Sequence, residues 1–275
     1  MGRPIIVGIV NITADSFSDG GRFLDARAAL AQAQALAASG ADIIELGAAA
    51  SNVAAARVAP DMEIRRLKPV IAALAGLGTP LSIDSAQPAV QRFGLAHGVD
   101  YLNDIRGFPD PRLYPALAAA GCRLVVMHAI AADGGRAQRA DLAPNEVWRS
   151  IEAFFAERIA QLVEAGIARE RLVLDPGMGL FLSTRAAASL HVLARLPLLK
   201  RRFGLPVMVS VSRKSFLAAI TGRVAPSERG AATLSAELYA AAHGADYLRT
   251  HDAAALSDAL AVAAALQAAA PPETA

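Results

Sequence analysis

The stretch IVNITADSFSDGG, Ile9 to Gly21, decides between two folds. It follows an apolar, β-branched run, Ile5–Val10, and precedes an Ala- and Leu-rich helical pattern, Asp25–Ser39. A doubly wound open sheet carries a G-x-G-x-x-G phosphate loop after its first strand. Here the two glycines are adjacent, at Gly20 and Gly21, so that spacing is absent.

Outward from that point the same alternation repeats. Strands are predicted at Asp42–Leu46, Pro80–Ile83, Tyr101–Asn103, Arg123–Met127, Arg171–Leu174, Val207–Val211 and Tyr247–Thr250. Helical patterns such as Asp61–Leu74, Pro88–His97, Asn145–Ala165 and Ala186–Phe203 lie between them. Gly40, Gly98, Gly166, Gly204 and Gly244 stand where helix C-caps would. Eight such units in 275 residues, near the ~250 typical of the class, predict a single (β/α)8 TIM barrel over residues 1–269. The remaining tail, 270–275, reads as frayed.

Composition excludes several classes. With 54% hydrophobic and 19% charged residues, the chain can bury a large core. A net charge of +2 without a basic block gives no case for nucleic acid or an anionic membrane surface as partner. Gly, Pro or charge interrupts each apolar run well before the ~18 residues of a membrane span. One cysteine, Cys122, excludes an internal disulfide and reads as a small core residue. The expected location is the cytoplasm.

In a barrel, the active site lies at the C-terminal strand ends. Here these ends carry Asn11, Glu45, Asp84, Asn103 with Asp104, His128, Asp175, Ser212–Lys214, and Arg249 with His251. Singly, each could be a cap, a turn or a core residue. Together they leave cations on the last two strands, where barrels bind phosphate, so Ser212, Arg213, Lys214, Arg249 and His251 predict a phosphate or diphosphate. Asp84 and Asp175 suit a ligand with several N–H donors, such as an amino-heterocycle.

GIVNITADSFSDGG, SIDS, YLNDIRGFPD, VVMH, LDPGMG, SVSRKSF and ADYLRTH, in order from about Ile6 to His251, resemble dihydropteroate synthase. The stretches NDIRGFPD, DPGMG-x-FL and SVSRKSFL resemble its sulfonamide-insensitive branch, carried on resistance elements. The resemblance implies a transferase that joins 6-hydroxymethyl-7,8-dihydropterin diphosphate to p-aminobenzoate, releasing diphosphate. It implies Asp84, Asn103 and Asp175 on the pterin edge, Met127 on its face and Lys214 at its carbonyl. It also implies Asn11, Arg249 and His251 at the diphosphate with Ser212 nearby, Asn11 beside a Mg²⁺ ion, and Phe17, Ser51, Phe181 and Ser215 around the aminobenzoate. Asp84, Asp175 and Lys214 are the candidate catalytic residues, and a homodimer is expected.

The chain departs from the family pattern at four places. Glu45 replaces an aspartate, Val53 follows Asn52 where a proline is usual, and Leu180 and Ser183 replace Phe and Gly in the sixth loop. The last two are expected to loosen the hold on Phe181. Two other readings remain: a pterin-dependent methyltransferase, which would need no diphosphate cations, and a pterin-binding barrel without turnover.

Overall fold

The computed structural model describes residues 2–12, 22–50, 57–130, 132–133, 136–137 and 139–269, with 22–25, 132, 133 and 136 described in backbone alone. Phe17, Ser51, Asn52, Val53 and the 270–275 tail fall outside them.

Eight parallel strands form one sheet: β1 (Ile5–Asn11), β2 (Ile43–Gly47), β3 (Leu81–Asp84), β4 (Tyr101–Asp104), β5 (Arg123–Met127), β6 (Leu172–Asp175), β7 (Met208–Val209) and β8 (Tyr247–Thr250). Their spatial order is 6-5-4-3-2-1-8-7. A parallel bridge from Leu174 to Val207 closes the ring, and Leu174 donates its N–H to the Pro206 carbonyl at 2.9 Å. The fold is the expected (β/α)8 barrel. Its seventh strand is shorter than Val207–Val211, since regular pairing covers only Met208 and Val209. A two-stranded ribbon, Ala132–Asp133 against Arg136–Ala137, rises from the loop after β5.

Ten α-helices lie among the described residues: α1 (Arg22–Ala38), α2 (Pro60–Leu74), α3 (Pro88–Ala96), α4 (Tyr114–Ala119), α5 (Pro144–Glu164), α6 (Ala186–Ala194), α7 (Leu196–Phe203), α8 (Ser215–Thr221), α9 (Gly230–Ala242) and α10 (Ala253–Ala269). The pattern predicted as one helix over Ala186–Phe203 breaks at Arg195. Pro197 lacks an N–H and would clash with the carbonyl of Leu193, so it serves as an early residue of a new helix. That helix stops at Gly204, whose φ of 58° suits a residue without a side chain.

The period-two pleat sorts strand residues into two cores. Outward-facing Ile6, Ile44, Ile83, Leu102, Leu124 and Leu248 are fully buried against the helices. Inward-facing Val7, Ile43, Val125, Val173, Met208 and Tyr247 plug the barrel floor. Fully burying such a side chain contributes about 1.5–3 kcal/mol, and Leu102→Ala would forfeit ~2–5 kcal/mol. Cys122 is buried as a small core residue.

Candidate active site

Directly above the apolar floor, the same inward faces turn polar. One pleat repeat beyond Ile43, Tyr101, Val173, Met208 and Tyr247 stand Glu45, Asn103, Asp175, Ser210 and Arg249. An open pocket lies over them, lined by Asp84, Asn103, Asp175, Ser210, Lys214 and Arg249. Its apolar walls are Ile105, Met127 and Phe181, part of a small cluster of their own, and Met178 from the main core.

Arg249 dominates the floor electrostatics. Its Nε donates to Glu45, which is fully buried, and its Nη2 donates to Asp84 at 2.9 Å. Burial opposes the guanidinium's charge, but Glu45 and Asp84 outweigh it and push its pKa up. Asp84 is raised, chiefly by burial and further by Glu45, although Arg249 pulls the other way. Asp175 is raised to about 6 by burial, against the Gly177 N–H and the charges of Lys214 and Arg249. Burial, with Arg249 nearby, lowers Lys214 to about 8, so it stays mostly cationic at neutral pH.

Two loops bring the remaining groups in. After β6, the Asp175 carboxylate accepts the Gly177 N–H at 2.8 Å. Gly177 has φ 75°, and a Cβ there would stand 2.4 Å from the His128 carbonyl oxygen, so only glycine fits. The loop then lays Phe181 against Met127 and Ile105, with the Lys214 Nζ 4.6 Å above its ring. Ser183 tightens this loop rather than loosening it. Its Oγ donates to the Leu142 carbonyl at 2.9 Å and accepts the Leu142 and Arg185 N–H groups.

After β7, Arg213 adopts the left-handed conformation at φ 60°. Thr233 Oγ1 accepts its N–H at 3.0 Å, and the buried Arg229 donates to its carbonyl at 2.6 Å. These two contacts offset the strain of that conformation. The two cations of SVSRKSF therefore part company: Arg213 is exposed, while Lys214 enters the pocket.

Of the candidate residues, Asp84, Asn103, Met127, Asp175, Phe181, Lys214 and Arg249 share this pocket. Ser212 and His251 meet beside it, Oγ to Nδ1 at 2.9 Å. Burial and the neighbouring Arg249 lower His251 to about 3, so its ring is neutral at pH 7. The Ser212 Oγ also accepts the His251 backbone N–H at 3.2 Å. Ser215 opens α8, its Oγ lying 3.6 Å from where a Gly179 Cβ would sit. Asn11 ends β1 exposed.

Asp104 and His128, which also end strands, face the helix layer instead. Asp104 accepts from Gln91 at 2.9 Å and from the backbone of Arg106 and Phe108; His128 meets Ser150 on α5 at 3.0 Å. Ser210, Ile105 and Met178, missing from the candidates, line the pocket, and Glu45 underlies it. Strict pleat alternation was the signal that could have selected Glu45 and Ser210 and set aside Asp104 and His128.

Residues 7–251 match the model of a family described as pterin binding enzyme. A dihydropteroate synthase type-2 of Escherichia coli is 57% identical over 263 residues, 96% of each chain. The dihydropteroate synthase of Xanthomonas albilineans, solved with 4-aminobenzoic acid, superposes with a TM-score of 0.86 at 37% identity, covering 98% of this chain and 95% of that one. The same enzyme in complex with 7,8-dihydropteroate gives a TM-score of 0.82 at 35% identity, covering 98% and 94%. With identity this high along nearly the whole length, and with a pocket of acceptors facing cations at the barrel mouth, the chain belongs to the dihydropteroate synthase family of pterin-binding enzymes.

Proposed function

We propose that this pocket joins 6-hydroxymethyl-7,8-dihydropterin diphosphate to p-aminobenzoate. A new C–N bond forms at the pterin methylene, its C–O bond to diphosphate breaks, diphosphate departs, and the amine nitrogen gives up one proton to solvent. The observation that carries this reading is one small pocket in which Asp84, Asn103 and Asp175 present acceptors while Lys214 and Arg249 present cations. The acceptors match the N–H-rich pterin edge, Lys214 its carbonyl, and Met127 its ring face. Arg249 and the neutral His251 would stabilise the negative charge that grows on the leaving diphosphate, with Ser212 holding the imidazole. An aniline nitrogen is nucleophilic without a strong base, so orientation supplies much of the rate.

The amine would enter over Phe181 and Ser215, with Phe17 and Ser51 contributing from loops outside the described residues. Phe181, packed and held by the Ser183 anchor, would admit a flat carboxylate and obstruct a tetrahedral sulfonyl, which supports sulfonamide insensitivity.

The described residues hold no cluster of three or more His, Cys, Asp or Glu suited to a metal. Asn11, exposed at the C-terminal end of β1, would add one oxygen to a Mg²⁺ carried mainly by substrate phosphates and water. Bound there, the ion would neutralise charge on the leaving diphosphate. No helix among the described residues is long and apolar enough to cross a membrane. An apolar surface groove lined by Leu190, Phe216, Ile220 and Tyr239 supports the homodimer expected of the family.

The test is diphosphate release by purified protein with Mg²⁺. Release is expected only with both substrates present. Equal release without p-aminobenzoate, or none with it, would refute the reading.

A further inference from the structure

Glu45 is fully buried beneath the pocket, and three donors from three other strands converge on it. One oxygen accepts the Arg249 Nε–H, and the other accepts from Ser82 Oγ at 2.9 Å and from Asn103 Nδ2 at 3.2 Å. A carboxylate only accepts hydrogen bonds, so Asn103 must turn its NH₂ toward Glu45. Its Oδ1 must then face elsewhere. That oxygen is buried without a hydrogen-bond partner, and Asn103 lines the pocket. A buried acceptor left unmatched is costly, and such orphans mark places where a ligand supplies the missing donor.

Arg249 shows the second half of the arrangement. Its guanidinium bridges Glu45 and Asp84. A ligand whose N–H groups donate to Asp84 would loosen one side of that bridge, and the Glu45 side would keep the cation in place.

We propose that Glu45 is a positioning residue for the transfer: it turns Asn103 so that its oxygen faces the ligand, and it tethers Arg249 at the barrel mouth. This rests on the pterin reading of the pocket. Glu45 touches no substrate in this account. It sets the hydrogen-bond polarity of the groups that do, so its loss acts on the pterin and not on the amine.

Glu45→Gln keeps the size and replaces an acceptor-only group by one with two donors, which can pair with the Asn103 oxygen and turn the NH₂ outward. The dissociation constant for unesterified 6-hydroxymethyl-7,8-dihydropterin, by calorimetry, is expected to rise about ten- to a hundredfold, the loss typical of a charge-assisted network. The KM for the diphosphate ester should rise with it, while the KM for p-aminobenzoate changes less than about threefold. Glu45→Asp keeps the acceptor-only charge on an arm one methylene shorter. It should recover most of the affinity, to within about fivefold of the parent, and it carries the test should the Gln variant fail to fold. Pterin affinity within twofold of the parent in the Gln variant, or equal KM increases for both substrates that Asp does not rescue, would overturn the proposal. If the parent itself neither binds the pterin nor releases diphosphate, the functional reading falls, and this inference with it. A parent that does both beside an unaffected Gln variant sinks the inference alone.

Discussion

Replacing Asp175 by Asn should separate stability from binding, moving them in opposite directions. The side chain is 1% exposed, and one oxygen is already committed to the Gly177 N–H at 2.8 Å. Asn can keep that bond through its own oxygen, which forces its NH₂ into the position of the second carboxylate oxygen. There it would meet ligand N–H groups donor to donor. Losing charge-assisted acceptance and gaining that mismatch costs about 2–4 kcal/mol, roughly thirty- to eight-hundredfold in pterin affinity.

Stability should not follow. Burial raises Asp175 from 3.8 to about 6, so between those pH values the folded state holds a proton that the unfolded chain releases. The stability this group contributes is therefore greatest below about pH 3.8 and falls as pH rises through 6. Asn resembles the protonated acid. At pH 8 the variant should match the parent in thermal unfolding or exceed it by about 1–3 kcal/mol. Parent pterin affinity should decline as pH falls below about 6, and the variant should lack that decline. Calorimetric titration from pH 5 to 8, beside unfolding curves, measures both. Parent-like pterin affinity in the variant would place the ligand elsewhere. Weak binding accompanied by marked destabilisation at pH 8 would mean that the carboxylate is structural.

Gly177→Ala should destabilise the fold by about 2–4 kcal/mol, since the left-handed backbone alone costs ~1–2 kcal/mol and the new Cβ would sit 2.4 Å from the His128 oxygen; an unchanged urea midpoint would refute this. Arg249→Ala leaves Glu45 and Asp84 facing each other unpaired, so a loss of ~3–5 kcal/mol is expected. In the folded fraction, the diphosphate ester should lose more affinity than the unesterified pterin, and equal losses would mean that Arg249 does not meet the leaving group. A synthase-deficient bacterium carrying this gene should grow with sulfamethoxazole present. Ser183→Ala, which frees the loop bearing Phe181, should lower that tolerance; drug-sensitive growth of the parent gene would exclude the role given to Phe181.

The order of elements was legible in the chain. Apolar runs of strand length alternate with helical patterns, and residues such as Gly204 sit where only a left-handed backbone can end a helix. These signals are local, because backbone sterics and hydrophobic periodicity act over a few residues. The absence of a G-x-G-x-x-G turn after Ile9 separated barrel from open sheet on the same ground. Strand ends are also local, so Asp84, Asn103, Asp175, Lys214 and Arg249 could be named in advance. Which strand-end groups face one another could not. Asp104 and Asn103 are neighbours in sequence, yet the pleat sends one to the helix layer and the other to the pocket. Glu45 read only as a departure from the family's aspartate until closure of the ring brought Arg249, 204 residues away, onto its carboxylate. Similarly, Ser183 read as a loosening substitution until folding set Leu142 beside its hydroxyl. Such pairings arise only when the barrel closes, because the low-dielectric interior it creates forces each buried charge and polar atom to find a partner that sequence distance does not reveal.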